Sequence, residues 1–121
     1  MALVNQVNKR ALMNRREIVR YQLLTHCYME NIPISEADLD CLTCLAMDGE
    51  QELTVFCRKI HDLKIFGCTQ SVRNAIMKAE KKNLIIKKRK SKKRIFINPE
   101  LNIQTSGTIM MDIKILCKDA A

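Results

Sequence analysis

Residues Thr69 to Pro99 read TQSVRNAIMKAEKKNLIIKKRKSKKRIFINP, and a change of period inside this stretch decides the fold. Val72, Ala75, Ile76 and Ala79 fall at i, i+3, i+4 and i+7, which places four apolar side chains on one face of a helix. After Asn83 the period shortens. Leu84-Ile85-Ile86 and Ile95-Phe96-Ile97 are short β-prone runs on either side of a basic tip, and Pro99 ends the second. The stretch predicts a helix over about 70–82 and a β-hairpin over about 85–98.

Toward the N-terminus, the connection from Lys64 to Cys68 contains Gly67, which is expected to supply the positive φ of a sharp turn. Ile65 and Phe66 would plug the angle between two helices, and Thr69 or Ser71 would cap the second. The helix before this turn is expected from about Glu50, because Leu53, Phe56, Cys57, Ile60 and Leu63 repeat at three- and four-residue steps. Two helices joined by a short glycine-bearing turn form a helix-turn-helix. An earlier helix opens at Ser35, with Asp38 completing a weak capping box. Leu39, Leu42, Leu45 and Ala46 form its buried stripe, and Asp48-Gly49 closes it.

Two outer segments complete the chain. Val4 to Glu30 has the spacing of a long amphipathic helix, with Val4, Val7, Ala11, Leu12, Ile18, Val19 and Leu23 near one stripe. Asn31-Ile32-Pro33 stops it. Beyond the hairpin, Ile109, Met111, Ile113, Ile115 and Cys117 alternate after a Ser106-Gly107 turn, the pattern of one more strand. The expected organisation is an N-terminal helix over 1–31 that packs on the core or builds a dimer, a central domain over 32–104, and a C-terminal strand or tail over 105–121.

A chain of 121 residues is the size of one domain and long enough to bury its own core without disulfides or metals. Its net charge of +8 is unevenly spread. Lys78 to Arg94 holds ten of the 21 basic side chains and one acid, Glu80; Glu30 to Asp62 holds eight of the 13 acids against Arg58 and Lys59. A basic block of this kind attracts phosphate. No run approaches the roughly 20 apolar residues of a membrane span, and Met1 to Arg20 lacks the compact apolar core and cleavage site of a secretory signal. The expected setting is therefore intracellular, a cytoplasmic and reducing one in which six cysteines stay as thiols.

With its apolar residues turned inward, the helix over 70–82 presents Gln70, Arg73, Asn74, Met77, Lys78 and Lys81. Gln, Asn and Arg can bond base edges bidentately in the major groove. Gln70, Arg73, Asn74 and Met77 are thus candidate base contacts, with Ser71, Lys78 and Lys81 suited to phosphates. The hairpin tip adds Lys87, Lys88, Arg89, Lys90, Lys92, Lys93 and Arg94 around Ser91. So many like charges repel one another, and an anionic partner relieves that cost. A solvated surface, a nuclear-import signal or an RNA-binding patch are other uses of such a composition, although Trp is absent and aromatics make only 4%, too few for a stacking platform.

From Ser35 to Asn98, about half of the chain, the order of elements resembles the winged-helix domains of MarR-type regulators and of plasmid or phage replication proteins. The likeness is carried by Thr69 to Ile85 and the basic hairpin. The junction Ala79-Glu80-Lys81-Lys82-Asn83-Leu84-Ile85 stands where those families pass from recognition helix to wing, with Asn83 as the residue that tolerates a left-handed helix end. Ile97-Asn98-Pro99-Glu100-Leu101 is similar to the strand end and turn of the replication-type domains. The resemblance implies an α+β fold, mainly α with a small β-hairpin wing: a winged helix-turn-helix with a long N-terminal helix. It also implies binding of double-stranded DNA, in transcription regulation or replication initiation, by a possible homodimer. The alternative is an interaction module of a larger assembly, such as a viral particle or polymerase complex, with an acidic protein as partner. The acidic Glu30–Asp62 segment facing one way and the basic wing another would suit head-to-tail association.

Cys41-x2-Cys44 and Cys57-x3-His61, 12 residues apart, have a spacing close to that of a zinc finger. Cys41 and Cys44 fall within an apolar helical run, however, and Cys57 already belongs to a buried stripe, so small buried thiols are expected and no cofactor. There is no glycine-rich phosphate loop, nucleophile elbow or paired-carboxylate constellation, so catalysis is not expected.

Overall fold

The computed structural model describes residues 11–89, 93–111 and 113, with Arg89 by its backbone alone. The elements run α1 (Arg15–Met29), α2 (Glu36–Asp48), β1 (Gln51–Glu52), α3 (Leu53–Asp62), α4 (Thr69–Lys81), β2 (Ile85–Arg89) and β3 (Lys93–Ile97), followed by a 3-10 turn at Pro99–Leu101. It is an α+β fold: among the described residues, four helices and a three-stranded antiparallel sheet in the order β1-β3-β2, with the β2–β3 hairpin as its wing.

The four inward residues of α4 are all buried, beside Phe56, Cys57 and Ile60 of α3, Leu39, Leu42 and Leu45 of α2, and Val19, Leu23 and Cys27 of α1. Ile95, fully buried at the centre of the sheet, completes this core. Each strand is short, but β3 has a partner on both sides: Ile95 stands opposite Lys87 on β2 and Gln51 on β1.

Several local expectations are corrected. The first helix begins at Arg15, because Asn14 and Glu17 form a reciprocal capping box (Glu17 N to Asn14 Oδ1, 2.8 Å). Residues 11–14 are not helical, Leu12 is fully exposed, and Val4 and Val7 lie outside the described residues. The third helix starts at Leu53 rather than Glu50, since Gln51 and Glu52 pair with β3 instead. Leu63 is half exposed because it sits at the C-cap, past the last helical turn. The left-handed residue in the turn before α4 is Lys64 (φ 59°), next after that C-cap, and Gly67 has no positive φ. The N-cap of α4 is Cys68, not Thr69 or Ser71. The alternating segment from Ile109 forms no strand over residues 109–111 and 113, and Ile115 and Cys117 lie outside the described residues.

Other details follow the sequence. Ser35 Oγ accepts from Asp38 N at 3.1 Å, capping α2, and Gly49 (φ 80°) ends it. Asn83 is left-handed (φ 60°). Asn98 fastens this helix-to-hairpin junction: its Nδ2 donates to Asn83 O at 2.9 Å, and its Oδ1 accepts from Glu100 N at 3.1 Å. The segment after the 3-10 turn docks on α1, where the Gln22 amide donates to Gln104 O (2.8 Å) and accepts from Gln104 N (2.9 Å). No helix of the described residues is long and apolar enough to cross a membrane.

Candidate nucleic-acid interface

The outward face of α4 is polar and open in its first two turns. Gln70, Asn74 and Met77 are exposed, while Arg73 and Ser71 are half-buried. Gln70 Nε2 donates to Asn74 Oδ1 at 3.0 Å, a one-turn bridge that orients both amides along the same face. At the helix start, Cys68 Sγ lies 3.3 Å from Ser71 Oγ, and hydrogen bonding to Ser71 holds the exposed thiol below its ordinary pKa.

Helix α4 and strand β2 pack against each other. Lys87 is on the side of β2 that carries Ile85, and by register it shares that side with Ile95 and Ile97 of β3. Burial pushes the Cys57 thiol up, and the charges of Arg73 and Lys87 oppose that rise. Arg73 of α4 and Lys87 of β2 thus both lie within electrostatic range of this buried thiol. Neither forms an ion pair with a carboxylate among the described residues.

The other candidate phosphate ligands differ in their surroundings. Lys81 and Lys93 are exposed. Lys78 Nζ lies 3.1 Å from Asp38 Oδ2, an ion pair joining the last turn of α4 to the first turn of α2, where each charge also suits its helix dipole. Lys88 Nζ is 2.8 Å from Glu50 Oε1, and Arg94 Nε donates to Glu50 Oε2 at 2.9 Å. Arg89 is in β2 opposite Lys93. Lys90 and Lys92 lie outside the described residues.

The acidic and basic blocks are therefore not segregated, contrary to the picture of one facing away from the other. Asp38 and Glu50 meet the basic block, Asp40 holds Arg20 at 3.2 Å, and Asp48 bonds Lys59. Opposite charges attract as the chain compacts: Asp38 in the first turn of α2 meets α4, and Glu50, just past the end of α2, meets the hairpin. Sequence reasoning missed Asp38 and Glu50 as partners of the basic residues. The signal was the excess of acids in one segment, but nothing local pairs a particular acid with a particular cation.

No family model, curated protein or solved structure matches the chain. The geometry of the site stands alone.

Cys41, Cys44 and Cys57 are buried in the core, and His61 is exposed on the last turn of α3. Burial, with the neighbouring Cys44 and Cys57 adding to it, pushes the Cys41 thiol up to about 12, so it stays protonated at neutral pH. Among the described residues, no group of three or more His, Cys, Asp and Glu is arranged to hold a metal ion.

Proposed function

We propose that this chain binds double-stranded DNA, with α4 in the major groove and the hairpin against phosphates or the adjacent minor groove. The observation that carries this reading is that α4 and β2 pack together while Arg73 on the one and Lys87 on the other form no ion pair with a carboxylate among the described residues. A helix face bearing Gln70, Arg73 and Asn74 is chemically suited to base edges, and a basic hairpin follows it directly. Kinship with the winged-helix regulators and replication proteins belongs to this proposal, as do transcription control or replication initiation as its setting. An intracellular, reducing compartment also belongs to it, supported by the five described cysteines, all free.

A second reading is favoured by α1. Tyr21, Leu24 and Tyr28 are exposed at helical spacing, with Met29 beside them. That apolar stripe suits a protein contact, either a second copy spanning two half-sites or a partner in a larger assembly.

Fluorescence-anisotropy titration of a mixed-sequence duplex, about two helical turns long, tests the DNA reading. Affinity should fall steeply between about 50 and 200 mM salt, with a slope of about 0.9 per phosphate contacted. Absence of binding at the low end of that range would leave the assembly reading as the better one.

A further inference from the structure

Lys88 and Arg94 are directly opposite each other across the hairpin. Like charges so placed repel, yet both side chains turn to one acceptor. Glu50 Oε1 takes Lys88 Nζ at 2.8 Å and Glu50 Oε2 takes Arg94 Nε at 2.9 Å. Glu50 comes from outside the hairpin. It follows Gly49, whose left-handed φ of 80° turns the chain out of α2 toward β3, and it precedes the β1 residues that pair with β3. Lys88 also stands 5.4 Å from the centre of the Phe96 ring. The two bonds to Glu50 hold its carboxyl below the usual range.

We propose that Glu50 is a positioning residue that serves as an internal substitute for phosphate, holding Lys88 and Arg94 so that this side of the wing engages DNA only when a phosphodiester displaces the carboxylate. The inference rests on the DNA-binding reading. Its chemical basis is that a carboxylate and a phosphodiester each present one negative charge over two acceptor oxygens, so they compete for the same pair of donors. The exchange is feasible because the cluster is open: the side chains of Lys88, Arg94 and Glu50 are 52%, 43% and 34% exposed. Exposed ion pairs are weakly held. Glu52 of β1, opposite Arg94 in the register, adds a second acid on this side of the sheet. No bond from it holds Lys88 or Arg94, so Glu50 is the acceptor that a phosphodiester must displace. Glu50 thereby lowers nonspecific affinity while Arg73 and Lys87 remain available.

The test uses the full chain, comparing wild type, Glu50→Gln, Lys88→Gln/Arg94→Gln and the triple variant in duplex titrations across salt, with circular dichroism to confirm the fold of each. Glu50→Gln should bind several-fold tighter, and its salt slope should steepen by about 0.9 for each phosphate gained. In the Lys88→Gln/Arg94→Gln background the same substitution should change neither quantity. Unchanged affinity and slope in Glu50→Gln, with the wild type binding normally, would overturn the proposal while sparing the DNA reading. So would a gain that persists undiminished in the Lys88→Gln/Arg94→Gln background, since that is the mark of a general charge effect. Failure of both wild type and Glu50→Gln to bind any duplex at low salt would remove the DNA reading and this proposal together.

Discussion

Lys87 and Lys88 are neighbours in β2, yet the fold gives them opposite company. Lys87 shares a side of the sheet with Ile85, Ile95 and Ile97 and forms no ion pair with a carboxylate among the described residues. Lys88 points the other way, across from Arg94, and both are held by Glu50. One side of the hairpin thus carries a cation without a carboxylate partner among the described residues, and the other carries its own counter-charge. The number of basic residues in a sequence therefore overstates the number ready for an anion. Lys78, paired with Asp38, is a third that is already engaged.

Both sides hang on β3, so the most damaging way to break the comparison is to remove what they share. Ile95 is fully buried and stands between Lys87 and Gln51 in the register. Ile95→Ala should cost about 2–5 kcal/mol in urea denaturation, the usual range for emptying a core isoleucine site. Both sides should lose their order together. A loss well under 1 kcal/mol would show that the hairpin is not part of the cooperative core.

The next effect is smaller and falls on one side only. Arg73→Ala should reduce discrimination between a preferred duplex and a mixed one by about 1–3 kcal/mol, whereas Lys87→Gln should weaken all duplexes alike and lower the salt slope by about 1. Competition titrations separate the two. Weaker binding of Arg73→Ala to every duplex with discrimination unchanged would mean that Arg73 contacts phosphate and that bases are read elsewhere.

How much of this was legible in the sequence depends on the range of the interaction. The face of α4 was written in the spacing of Val72, Ala75, Ile76 and Ala79, and the hairpin in two β-prone runs; both are local patterns, and all four helix residues are buried. Asn83 was legible for a similar reason, since a left-handed helix end favours Asn. The start of α1 had a signal that was outweighed: the apolar stripe ran back to Val4, but Asn14 and Glu17 at the right spacing cap the helix ten residues later. β1 had none. Two residues carry no period, and Gln51 and Glu52 become a strand only because β3 lies beside them. Candidate site residues could be named by type, but not sorted into paired and unpaired. The partners of Lys88 and Arg94 come from position 50, and only the tertiary fold brings Glu50 there.

The smallest expected effect sharpens the same contrast through pH. Hydrogen bonds from Lys88 and then Arg94 depress the Glu50 carboxyl in the folded protein. On acidification the unfolded chain takes up this proton first, because its carboxyl is the weaker acid, and the equilibrium shifts toward unfolding. The contribution of Glu50 is thus present above the ordinary carboxylate range and is lost as pH falls through its lower folded value. Urea midpoints measured from neutral pH down to about pH 3, below ordinary carboxylate values, should fall less for Glu50→Gln than for wild type. Coincident profiles would mean that Lys88 and Arg94 are not held in solution, and the two sides of the hairpin would then be electrostatically alike. The difference should be far smaller than that from Ile95→Ala, since the cluster is open to solvent and its charges are screened. Weak retention is also what an exchange with phosphate requires, because a tightly held carboxylate would keep Lys88 and Arg94 from DNA altogether.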